Sequence, residues 1–389
     1  MTVQKHAVVV GAGLGGLAAA VGLHRAGWRV TILEAAPEFG AVGSGISMYP
    51  NSMRALEALG LHDQVDSLPP FDVGHALCAT NGDYLTRIDG ATLRELWGGQ
   101  IYGFHRADLH DLLRTGLPDG AIQLGVRVTR ADEGADGRWT VRTEDTVVVD
   151  DADVVIAADG IASPLRKQHW PDLPPESYTG STAWRGISPI LPGQPISIVQ
   201  TFGTSAEFGF LPLTNGRTYW YASAMTPAGV RDADERAVVL ERYKDWHDPI
   251  PALIASAEAV LHHDINALPE IPSELFTGRL VLVGDAGHGM APHLGQGGCT
   301  AIEDGVVLAA ELSSTPDDIS AALSRYNAQR RPRVAELARK AEEIRRASNE
   351  STEADTLERN RTWPLIPAAE LYGTSVAVAQ WFPPAIVGA

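Results

Sequence analysis

Two strand–turn–helix segments at opposite ends of the chain constrain its fold more than any other feature. Residues 6–10 form a short apolar run that closes on Gly11-Ala12-Gly13-Leu14-Gly15-Gly16. Helical spacing follows to Ala26, and Gly27 is a helix stop. Residues 29–33 then read as a second strand ending at Glu34, which makes a βαβ beginning. Far along the chain a buried-type strand over residues 280–283 leads into Gly284-Asp285. A turn through Pro292 and Gly295-Gln296-Gly297-Gly298 comes next, with a helix from about Cys299.

The glycine positions match the needs of a nucleotide. Gly11 permits a tight turn, Gly13 lets a pyrophosphate approach the backbone, and Gly16 lets helix and strand pack closely. The helix N-terminus supplies free N–H groups and a positive dipole end. Glu34 is placed to accept hydrogen bonds from ribose hydroxyls. At the second site Asp285 can bind a ribityl or sugar hydroxyl. The glycine turn can bring bare backbone against a flat ring, and the following helix N-terminus would stabilise negative charge on a reduced flavin. The plainer alternative there is a helix start built from glycines for packing alone. Together the two sites suggest one long dinucleotide gripped at both ends, and FAD fits.

Between them the chain changes character. Helices are expected over residues 50–59 and 105–117, and an antiparallel meander over 122–130, 138–143 and 146–149, with Asp136-Gly137 as a turn. Residues 154–157 read as a buried strand ending near Asp159-Gly160. From 178 to 224 the chain is rich in Thr, Tyr, Trp, Phe and Ile, with Asn215-Gly216 as a hairpin signal, so a second antiparallel sheet is expected. Helices follow at 234–245 and 251–260, and one long helix at 319–347 that Pro332 should kink. The expected fold is α/β: a Rossmann-like FAD-binding domain (1–72, 97–177 and 272–347), an inserted antiparallel-sheet substrate domain (73–96 and 178–271), and a loop-rich C-terminal segment (348–389) with a candidate terminal helix. Strand alternation makes Trp184, Arg185, Phe208, Phe210, Tyr219 and Tyr221 candidate pocket walls, or else ordinary core.

Composition narrows the partners. A net charge of −17 argues against nucleic acid and anionic membranes. The basic run 325–346 reads as a solvated helix face with interleaved Glu336, Glu342 and Glu343. Cys78 and Cys299 are far apart and form no CxxC, so no disulfide framework and no metal are expected, and a cytoplasmic setting is the default. No signal peptide and no membrane span are expected. The oligomeric state is left open.

With these motifs in order, roughly residues 1–350 resemble the class A flavoprotein monooxygenases, the para-hydroxybenzoate hydroxylase-like aromatic hydroxylases. Gly11 to Gly16 with Glu34 looks like their ADP-binding fingerprint. Asp159-Gly160, with Ser163 and Arg166, looks like the Asp-Gly motif associated with flavin and NAD(P)H. Gly284-Asp285 through Pro292, Gly295, Gln296, Gly297 and Gly298 looks like the motif that holds the ribityl chain and ring, and Arg106 matches an FAD-contacting arginine. The second run is most similar to urate hydroxylase and zeaxanthin epoxidase-like enzymes. Where the urate pattern has an acid after the proline, this chain has His293. That departure argues against urate and makes His293 a candidate to contact, orient or deprotonate another substrate, the alternative being a solvated loop histidine. Arg185 and Tyr219 join it as candidate catalytic residues.

The resemblance implies that NADH or NADPH, binding transiently, reduces the flavin, and that O2 adds at C4a. The distal oxygen then passes to an electron-rich carbon or alkene of a small aromatic or polycyclic substrate. A flavin-dependent reductase or dehydrogenase on the same scaffold, and a non-enzymatic flavin- or small-molecule-binding protein, are the competing readings.

Overall fold

The computed structural model describes residues 4–40, 44–68 and 73–388. Its main sheet is built on the strand His6–Val10, every residue of which is buried. Arg29–Leu33 pairs parallel on one side and Val154–Ala157 on the other. Leu280–Leu282 extends the parallel set beyond Val154–Ala157, and the short Phe276–Thr277 closes that edge antiparallel. Strands buried on both faces read as continuous aliphatic runs, and these do. The helix Leu14–Arg25 packs on one face beside Gly297–Ser314, its most extensive neighbour. The N- and C-terminal motifs are thereby brought side by side.

A seven-stranded sheet forms the second layer. Its strand order is Val260–Ala267, Ser177–Pro189, Arg217–Met225, Ala206–Pro212, Ser197–Phe202, Gly74–Ala79 and Tyr84–Ile88. All neighbours pair antiparallel except Ser197–Phe202 with Gly74–Ala79. Asn215-Gly216 turns the central hairpin, with Gly216 N–H donating to Leu213 O at 3.0 Å. The sheet is sided. Trp184, Phe208, Trp220 and Ala222 pack with Tyr243, Val239 and Leu253 of the helices Glu235–Tyr243 and Ile250–Ser256.

Several expectations need correction. Ile122–Gln123 is an edge strand of the main sheet, and the meander is Arg130–Glu133, Trp139–Arg142 and Val147–Ala152. Residues 260–267 form a strand where helix was expected to end. Gly297–Ser314 starts two residues before the expected Cys299. Ile319–Asn349 continues across Pro332 as one helix of 31 residues. The C-terminal segment is mostly helical, with Glu353–Thr362, Ala368–Leu371 and Gly373–Ala379. Cys78 and Cys299 are both buried and free. Among the described residues no helix is long and apolar enough to cross a membrane, and no cluster of metal-ligating side chains occurs.

Candidate functional site

At the first turn Gly11 has φ +100°, and a Cβ there would overlap the Ala158 carbonyl. A Cβ at Gly16 would strike the Gly11 carbonyl oxygen, so this helix can sit this close to the strand only without a side chain. Gly13 faces open space. Glu34 is already engaged: one carboxylate oxygen accepts from Ala12 N–H at 2.7 Å and the other from Ala36 N–H at 2.8 Å. It braces the turn, with a second lone pair on each oxygen left for a sugar hydroxyl.

The helices Leu14–Arg25 and Gly297–Ser314 have no side-chain N-cap. Their first-turn N–H groups are therefore free to meet an anionic or electron-rich ligand. Gly13, Gly15, Gly16, Gly160, Gly284, Asp285, Pro292, Gly295, Gly297 and Gly298 all border one cavity of about 840 Å³. Arg106 borders it too, from the start of the helix Arg106–Arg114. Asp285 is exposed at the cavity, and no hydrogen bond engages its carboxylate among the described residues.

Two interior devices hold these turns. Asp304 is fully buried and accepts from Gly284 N–H at 2.9 Å, lies 2.6 Å from His288 Nε2 and accepts from Arg330 Nε at 2.6 Å. Burial alone would raise its pKa, and the His288 and Arg330 charges more than reverse this, leaving it lowered. Arg166, 2% exposed, donates to the carbonyls of Ala286 and Ile161 at 2.8 and 2.6 Å. It thus ties the Asp159-Gly160 motif to the Gly284-Asp285 motif. Asp159 itself points inward: one oxygen accepts from Leu165 N–H at 3.2 Å, the other has no partner, and burial pushes its pKa up. The side chain of Gln296 is also turned into the interior, accepting from Asn51 at 3.0 Å, so a ligand would meet backbone there.

The far wall of the cavity is the second sheet. Arg185, Glu207, Tyr219, Tyr221 and His293 border it. Trp184, Phe208 and Phe210 pack in the cluster on the opposite side of the sheet, Phe210 only touching the cavity, and there Trp184 stacks on His262 and donates to Glu235. His293 is no solvated loop histidine. Its side chain is 1% exposed, its ring nitrogens have no hydrogen-bond partner, and Nε2 lies 3.6 Å from a Glu207 oxygen. Desolvation, with Arg345 adding to it, lowers its pKa to about 4. Desolvation raises the Glu207 carboxyl to about 7. Tyr219 is raised by burial, which the nearby Arg185 guanidinium partly offsets. Sequence reasoning missed Glu207; the available signal was one acidic residue among the inward positions of an aromatic strand. It missed the C-terminal contribution too, since Arg359, Trp363, Leu371 and Tyr372 reach the same cavity.

A dinucleotide cradle opening directly onto a closed sheet face is the arrangement of a flavoprotein that turns over an enclosed substrate. Comparison with known sequences makes this specific: the chain belongs to the FAD binding domain family, whose model matches residues 4–341. Aurachin C monooxygenase/isomerase of Stigmatella aurantiaca is 36% identical over 327 residues, covering 83% of this chain and 84% of that one. FAD-dependent urate hydroxylase of Klebsiella pneumoniae is 36% identical over 348 residues, covering 86% and 88%. The crystal structure of Klebsiella pneumoniae HpxO complexed with FAD and uric acid superposes with a TM-score of 0.88 at 31% identity, covering 96% of each chain. The protein is an FAD-dependent monooxygenase of the hydroxylase type.

Proposed function

We propose that the protein uses NADH or NADPH and O2 to hydroxylate or epoxidise a small aromatic or polycyclic substrate held between the flavin and the second sheet. The observation that carries this reading is the single cavity joining the glycine turns to the Arg185–Glu207–Tyr219–His293 face. When bound, FAD supplies the redox and oxygen-activating chemistry that no side chain here provides.

The chain's own residues do the rest. Gly13 and Gly16 admit the pyrophosphate and Glu34 meets the ribose, while Arg106 offers a cation at the cavity edge. Asp285 accepts hydrogen bonds from the ribityl hydroxyls. The N-terminus of Gly297–Ser314 favours negative charge developing at the ring. Neutral His293 orients the substrate. Glu207, its carboxyl raised to about 7, is ionised in about half the molecules near neutral pH, and that form accepts a proton from a phenol or ring N–H. Tyr219 and Arg185 flank that group. Urate is not proposed, because His293 stands at the position of the acid in the urate pattern.

Purified protein should be tested for NAD(P)H oxidation and O2 uptake against phenols, quinolones, purines and polycyclic aromatics. A compound that stimulates both and gains one oxygen atom supports the reading. Substrate reduction without O2 uptake would replace it with a reductase. His293→Ala should retain FAD yet lower turnover or coupling, and unchanged turnover would remove His293 from the mechanism.

A further inference from the structure

The cavity is wider than a single ring needs. Its floor comes from six adjacent strands of the seven-stranded sheet, from Leu261 and His263 at one side to His75 and Leu77 at the other. Five inter-strand steps span roughly 24 Å. Inward positions alternate along each strand: Ile198, Gln200 and Phe202; Tyr219, Tyr221 and Ser223; His75 and Leu77.

The unpaired polar groups are concentrated in one part. Arg185, Glu207 and His293 cluster on or beside the central strands, and His293 has both ring nitrogens unpartnered. Beyond Glu207 the chemistry changes. There the walls are Leu77, Trp97, Ile198, Phe202, Trp363 and Tyr372, with Phe202 directly opposite Glu207 across the strand pair. They belong, with Tyr219 and Tyr221, to a hydrophobic cluster separate from the one beneath the glycine turns. The polar groups in this part are satisfied among themselves. His75 Nδ1 lies 2.6 Å from Tyr372 Oη, and Arg359 donates to Phe202 O at 3.0 Å. Gln200 donates to Tyr221 Oη at 2.8 Å. Trp97 Nε1 is buried without a partner, and Thr374 and Ser375 also border this part. Lining groups that are paired with one another leave mainly apolar and aromatic surface for a ligand.

We propose that this compartment binds an apolar chain of the substrate, making the substrate an elongated amphiphile. An aromatic head is held at Arg185, Glu207 and His293, and an alkyl or alkenyl tail lies between the Gly74–Ala79 and Ser197–Phe202 strands and the C-terminal helices. The inference rests on the function proposed above and names its substrate class. It gives the C-terminal segment a task, since Trp363 and Tyr372 form the roof over the tail. Phe202 meets Trp363 edge-on at 5.5 Å, which closes that side.

The test is a titration of FAD-loaded protein with 4-alkylphenols from methyl to heptyl, read by perturbation of the flavin absorbance, with O2 uptake and product mass followed in parallel. Each added methylene should tighten binding about four-fold until the compartment fills. Ile198→Phe and Leu77→Phe, each filling the compartment, should flatten that dependence while FAD stays bound. Equal affinity along the series in the wild type, no binding by any member, or a chain-length dependence untouched by both variants would overturn the compartment. Tight binding of heptylphenol without oxygenated product would leave the compartment standing and count against the monooxygenase reading. Oxygenation that is indifferent to chain length would do the reverse.

Discussion

Glu207 and His293 meet in a buried cavity wall, where burial shifts their titrations in opposite directions. The folded state holds the Glu207 proton up to about pH 7, well above its ordinary release. Between about pH 4.5 and 7 the unfolded chain therefore binds fewer protons at this site, and folding stability falls as pH rises. His293 is held neutral down to about pH 4. Between about pH 6.5 and 4 the unfolded chain binds more protons there, and stability falls as pH drops. In the wild type the two slopes cancel over most of the range. Glu207→Gln removes one of them, so its melting temperature relative to wild type should climb from pH 4.5 to 7. A constant difference measured by thermal melts across that range would refute the raised Glu207 carboxyl. His293 was legible in the sequence because it sits inside a motif of known spacing. Glu207 was not, because its meaning comes from which face of the strand it occupies and from a histidine far along the chain.

At the scale of elements, the site is organised by the contact between Gly297–Ser314 and Ile319–Asn349. Arg330 is 1% exposed and bridges Glu303 and Asp304 at 2.8 and 2.6 Å, with its guanidinium pKa raised by the two acids against the cost of burial. The basic run is thus two populations: Arg339 and Arg346 are solvated, whereas Arg330 and Arg345 are buried. Charge counting cannot separate them, since helical phase alone does not say which neighbour a face will meet. Arg330→Met should cost about 3–5 kcal/mol in urea melts, because Asp304 is left buried with its arginine gone. It should also loosen the Gly284 turn and lower flavin content. A loss below about 1 kcal/mol would show that His288 compensates alone. The strand Val260–Ala267 escaped sequence reading for a related reason. His262, His263 and Asp264 break the apolar alternation, and the strand is recognisable only once its pairing with Ser177–Pro189 is seen.

At the scale of the molecule, FAD would span the glycine turns and the second sheet across the cavity that both border. A ligand present at a hundred times its Kd stabilises the folded state by about 2.7 kcal/mol. FAD added to stripped protein should raise its melting temperature accordingly, and Asp285→Ala should shrink that rise. An undiminished rise in the variant would take Asp285 out of ribityl binding. The overall architecture was readable because glycine turns, apolar runs and Asn215-Gly216 are local signals. The C-terminal walls were not, because helices such as Ala368–Leu371 are fixed by packing rather than by their own propensity.

The N–H of His6, in the central strand, donates to Asp153, 147 residues later. At about 5–20 residues per second, a ribosome leaves that strand without this neighbour for roughly 7–30 s. Leu280–Leu282 arrives later still. During synthesis the aliphatic edge of His6–Val10 is a naked template for other nascent chains. Yield of this protein in a cell should therefore depend on holdase chaperones at the ribosome exit more than on the stability of the finished fold.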